Sequence, residues 1–183
     1  MSNQKHDYKV QNKEPNQQEI FQWITEAIGR TPEKYKILAS DIASKNGEDV
    51  LAINFNNYGA DFLSTMEKLS YKYNSGIQTA TYIRIFNEAK KANILLPIDN
   101  GSKTILIFVD KIFNVDVDFF LSMENKQIDV PDNASNTNFS FLRSEQFRTM
   151  WLKLTSEEQS MLKQKLIVMT TYALAYFKKK GGF

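Results

Sequence analysis

Apolar residues recur at intervals of three and four along much of this chain, the spacing that collects side chains on one helix face. Between Glu19 and Ile28 the repeat is Ile20, Trp23, Ile24, Ala27 and Ile28, and Gly29 follows as a stop signal. Thr31 before Pro32 marks a second start, because the threonine oxygen can accept an orphan amide and proline needs no bond in a first turn. That helix carries Tyr35, Leu38, Ala39 and Ile42 inward and ends near Asn46 and Gly47. Residues 49–55, DVLAINF, are β-prone and suit a short strand.

The pattern from Ala60 onward is the most informative. Phe62, Leu63, Met66, Leu69, Tyr71 and Tyr73 give a helical face, which Asn74, Ser75 and Gly76 break. Residues 78–92 resume a helix with Tyr82, Ile85, Phe86 and Ala89 on its inner side, and Asn93 suits a left-handed C-cap. Next come Leu96 to Ile98, the turn Asp99-Asn100-Gly101-Ser102, and the apolar arm Lys103 to Val109. Asn-Gly favours the backbone torsions that join antiparallel strands, so this segment is expected to form a β-hairpin. Two helices followed by a hairpin is the order of a winged helix.

The expected fold is therefore mostly α with a small β-hairpin: a winged helix-turn-helix core with additional N- and C-terminal helices. Residues 1–18, rich in Asn, Gln, Lys and Glu, are expected to form a flexible polar tail. The winged-helix domain then covers 19–130, a polar linker 131–138, and a C-terminal helical extension 139–183 that packs on the core or on a partner. Within that extension Thr155 and Glu158 form a capping-box pair ahead of a helix running from Ser156 to about Lys178. This helix is apolar on most sides from Leu166 to Phe177, so protein must cover it.

Composition narrows the chemistry. The 183 residues include no cysteine and a single histidine, His6, which removes thiolate chemistry, the usual serine-histidine pairing and histidine-cluster zinc sites. No run approaches the roughly 18 apolar residues that cross a bilayer, so no membrane association is expected. With 23 Lys and Arg against 21 Asp and Glu the net charge is only +2, and polyanion binding needs segregated charge. Residues 61–92 hold five basic against three acidic side chains, residues 110–138 two against six, and residues 153–183 six against two.

In a helix-turn-helix the outer face of the second helix enters the major groove. Opposite the packing residues lie Gln78, Thr79, Thr81, Arg84 and Asn87. Gln78 and Asn87 can pair with adenine and Arg84 with guanine, each contact worth roughly 1–3 kcal/mol of discrimination. Lys68, Lys72, Lys90, Lys91 and Lys103 serve phosphates, the last from the hairpin. The modest charge excess points to a dimer that doubles the phosphate contacts.

Residues 64–95, STMEKLSYKYNSGIQTATYIRIFNEAKKANIL, together with TILIFVDKIFN, resemble bacterial and plasmid winged-helix proteins of the replication-initiator branch. The likeness spans roughly residues 50–115. It implies binding of duplex origin DNA through Gln78, Thr79, Thr81 and Arg84, with a wing around Asn100 to Lys103, in replication initiation or transcription control. Ile83 departs from the pattern, since a polar DNA-facing residue is common there, and Asn93 replaces the usual glycine.

A structural or assembly protein is the competing expectation. Aromatic-rich segments from Phe113 to Phe120 and from Phe139 to Trp151, with the apolar last helix, suit buried interfaces in a nucleoprotein or virion. In either case the chain is expected to be non-enzymatic and free of cofactors and metals. Asp110, Asp116 and Asp118 could hold magnesium, but no phosphate-cradling glycine loop accompanies them. The expected partners are duplex DNA and a second copy held through the C-terminal helix, in the cytoplasm or within a viral particle.

Overall fold

The computed structural model describes residues 16–114 and 140–183. Among these, the helices are α1 Gln17–Gly29, α2 Glu33–Lys45, α3 Glu48–Tyr73, α4 Thr79–Ala92, α5 Leu96–Leu106, α6 Val109–Phe113, α7 Glu145–Trp151 and α8 Ser156–Lys179, with a 3-10 turn at Ser140–Arg143. The described residues contain no strand. The tail through residue 15, the linker 131–138, Asp116 and Asp118 lie outside them. Gln17 and Gln18 already belong to α1, whose N-cap Asn16 forms a reciprocal capping box with Glu19.

The expected hairpin is helix α5, and with it the winged-helix core is overturned. Pro97 sits in the first turn, where its missing N–H costs nothing. The buried positions Ile98, Gly101, Ser102, Ile105 and Leu106 then recur at three and four, so Gly101 and Ser102 are small members of a helical stripe. No wing exists around Asn100 to Lys103. The strand expected over 49–55 is likewise the first two turns of α3, with Gly47 at the N-cap and Glu48 and Asp49 beside the positive end of the helix.

The helix-turn-helix crossing is absent as well. A DNA-reading pair crosses at about 90–120°, whereas α4 runs back along α3. The Asn56 side-chain amide, midway along α3, donates to the Ile94 carbonyl just past the end of α4 at 2.9 Å. The turn between them is set by Asn74, at φ 49°, and by bonds from Ser75 N–H to Ser70 O and Asn74 N–H to Tyr71 O. The pair is an αα-hairpin.

α8 is the centre of the molecule and packs against α2, α3, α5 and α6. It lies antiparallel to α3: Lys180 reaches Glu48 at 3.0 Å, Tyr172 stacks on Tyr58 at 5.4 Å, Lys165 pairs with Asp61, and Glu158 meets Lys72 at 2.5 Å. Met169, Ala173, Leu174, Ala175 and Tyr176 are buried. The apolar run is therefore covered from within the chain. Met161 is the one large apolar side chain of α8 left exposed, a narrow basis for the homodimer expected through this helix.

α2 meets α8 through Ala39 and Ala43, while Leu38 turns outward, so the inner face is offset from the one expected. The small residues let the two backbones approach, and the Lys179 ammonium donates to the Ala43 carbonyl at 3.1 Å. Thr31 is no cap: its buried hydroxyl donates to Ala27 O. Asn93 is extended rather than left-handed, and its side chain accepts from Leu95 N–H.

Candidate nucleic-acid interface

α4 is split cleanly along its length. Phe86 is buried, and Tyr82 and Ile83 are half-buried against the core. Tyr82 packs edge-on to Phe141 at 5.1 Å, tying α4 to the segment before α7. Ile83, at the position where the resemblance has a polar DNA-facing residue, packs against the protein. Gln78, Thr81, Arg84, Asn87, Lys90 and Lys91 are exposed.

Thr79 does not join them. It is 5 % exposed in the first turn, and its N–H bonds to Ile77 O at 2.8 Å. Gln78 is the N-cap of α4 and makes no side-chain capping bond, which leaves its amide directed at solvent.

The cations divide into three environments. Lys90 and Lys91 lie in the last turn of α4, where the helix dipole favours positive charge, and neither forms an ion pair among the described residues. Lys68, exposed on the neighbouring α3, is likewise without an ion pair among them. Lys72 is engaged: its ammonium contacts Glu158, whose carboxylate also accepts from the Tyr73 hydroxyl at 2.5 Å. The bonds from Lys72, Tyr73 and the Thr155 N–H hold the Glu158 carboxyl down at about 2, and Glu158, followed by the Tyr73 side chain, raises Lys72 above its ordinary value. Lys103 stands apart from this group, on α5, lining a cleft with Asp99 and Tyr176.

Two features escaped sequence reasoning. Glu88 lies on the outward stripe and pairs with Arg84 at 3.5 Å, placing a negative charge among the expected base readers. Its i,i+4 spacing was the available signal. The other is the cleft beside Lys103, assembled from α1, α5 and α8, whose residues have no common sequence motif. Asp110, considered for magnesium, is 3 % exposed and accepts from the Arg30 guanidinium at 2.8 Å.

No family model matches the chain, and no solved structure matches it. It is similar to an uncharacterized protein, R465, of Acanthamoeba polyphaga mimivirus, with 27 % identity over 172 residues, 92 % of this chain and 93 % of that one. No helix among the described residues is long and apolar enough to cross a membrane.

Proposed function

We propose that this chain is a non-enzymatic protein that binds duplex DNA through the outward face of α4. The observation that carries the reading is the segregation of that helix: Tyr82, Ile83 and Phe86 turn inward while Gln78, Thr81, Arg84, Asn87, Lys90 and Lys91 remain on the surface. Lys68, Lys90 and Lys91 supply phosphate contacts, and Thr81, Arg84 and Asn87 reach base edges. Arg84 must exchange Glu88 for its nucleic-acid partner, so recognition is tolerant of sequence. A viral relative of matching length is compatible with a protein that acts in an infected cell's cytoplasm or travels in a particle.

Fluorescence anisotropy with random duplexes tests this directly. About three phosphate contacts predict micromolar affinity at low salt and a slope of log K against log salt near −3. Replacing Lys68, Arg84, Lys90 and Lys91 together with Ala should weaken binding by more than about tenfold, while Lys103→Ala should leave it unchanged. Absence of binding at micromolar protein and low salt sinks the reading.

Exposed Tyr71 (77 %), Leu152 (71 %) and Ile37 (62 %) favour a second reading as an assembly protein, since such side chains make interface anchors. Self-association at micromolar concentration that is lost on changing all three to Ser, without DNA binding, distinguishes it.

A further inference from the structure

A cleft of about 270 Å³ opens between α1, α5 and the C-terminal end of α8. Ile20, Phe21, Ile24 and Phe177 form its apolar wall, with Phe21 half exposed and its ring 5.7 Å from that of Phe177. α5 contributes Asp99, Ser102 and Lys103, and the end of α8 adds Tyr176 and Lys180. The Tyr176 hydroxyl donates to Asp99 Oδ1 at 2.6 Å, which spends its proton and occupies the carboxylate. Burial, reinforced by that bond, pushes the Tyr176 hydroxyl above its ordinary value, so it stays a phenol.

Two groups in the cleft are left over. Ser102 is 6 % exposed and lines the space, yet its hydroxyl makes no hydrogen bond among the described residues. The oxygen is not sealed from solvent, so the hydroxyl is open to donate to a group that enters the cleft. Lys103 is next in sequence and exposed, and it forms no ion pair among the described residues although Asp99 lies one helical turn away. Lys180 adds a second ammonium at the rim, paired with Glu48 at 3.0 Å.

We propose that this cleft binds a free medium-chain carboxylic acid, its carboxylate accepting from the Ser102 hydroxyl and the Lys103 ammonium and its alkyl chain lying along Ile20, Phe21 and Phe177. The head must be an anion because the cleft's one carboxylate is already taken by Tyr176, Lys180 is paired with Glu48, and the charge left is the Lys103 ammonium. The body must be mainly apolar because the wall of Ile20, Phe21, Ile24 and Phe177 includes only one polar neighbour on α1, Gln17. At about 30 Å³ per water-sized group the space takes roughly nine such groups, which suits an acid near eight carbons. Such a pocket, mostly apolar with a few convergent polar groups, is the usual form of a small-molecule site. None of its residues belongs to the α4 face, so it stands independently of the DNA reading.

Isothermal titration calorimetry of the full chain with octanoate, octanol and octylamine provides the test. Octanoate is expected to bind with one site per chain, and octanol and octylamine to bind at least about tenfold more weakly, because neither offers an anion to Lys103. Lys103→Gln should weaken octanoate by about fivefold or more and leave octanol unchanged, and Ser102→Ala should weaken octanoate without lowering the melting temperature. Lys103 is on the surface, so its variant folds and keeps the test open even if Ser102→Ala proves unstable. No heat with millimolar octanoate, equal binding of octanol or octylamine, or octanoate binding indifferent to Lys103→Gln each overturns the proposal.

Discussion

Glu158 shows how one side chain can fasten two ends of a bundle. It closes the capping box of α8 through Thr155 and at the same time accepts from Lys72 and Tyr73 at the end of α3. The sequence disclosed the first role, because a capping box is a four-residue pattern. It concealed the second, because Lys72 and Glu158 are 86 residues apart. The carboxyl is held at about 2, below its ordinary 4.5. Its contribution is therefore present above pH 4.5 and lost as the pH falls toward 2. Glu158→Gln should lower the melting temperature at pH 7 and flatten the acid decline between pH 5 and 2, as followed by circular dichroism. Asn56 is the other residue of this kind: buried, with its Oδ1 unpartnered among the described residues and its amide holding the Ile94 carbonyl. Asn56→Ala orphans that carbonyl and should cost about 1–3 kcal/mol in a urea titration.

Among the elements, α5 carries the main lesson. Asp99-Asn100-Gly101-Ser102 has the chemistry of a tight turn, and the same residues form a helix because Pro97 starts it and Gly101 and Ser102 sit on its buried face. Small residues at packed positions look polar and turn-like in a linear pattern, while in three dimensions they let helices approach. Asn100 lies on the exposed face of α5, so Asn100→Ala should stabilise the protein by roughly 0.5 kcal/mol through helix propensity. A hairpin turn would instead lose stability on that change, and the urea midpoint separates the two. α4 was read more faithfully, since Phe86 inward and Arg84 outward follow from its period alone. Thr79 failed because a first-turn residue near a chain reversal is buried by what folds over it.

At the scale of the whole molecule the C-terminal helix is the core rather than an appendage. Its apolar run, which called for cover of some kind, is enclosed by α2, α3, α5 and α6. Leu174 and Met169 are completely buried, and each such side chain contributes about 1.5–3 kcal/mol by leaving water. Deleting residues 156–183 should therefore abolish the cooperative thermal transition of the remaining chain, whereas a dispensable extension would leave it intact. Differential scanning calorimetry decides between them.

The sequence by itself determined the inner face of α1, the two ends of α8, the break at Asn74 and, Thr79 aside, the outward polar stripe of α4. Each depends on hydrogen bonds or side-chain periodicity within a few residues, which the order of amino acids encodes directly. Only the tertiary structure decided that Asp99 to Lys103 is helical, that α4 folds back along α3, that α8 is covered by its own chain, and that Ser102, Lys103 and Tyr176 share a cleft. These outcomes depend on which buried surfaces meet across long separations, and that competition outweighs the local preference of an Asn-Gly pair.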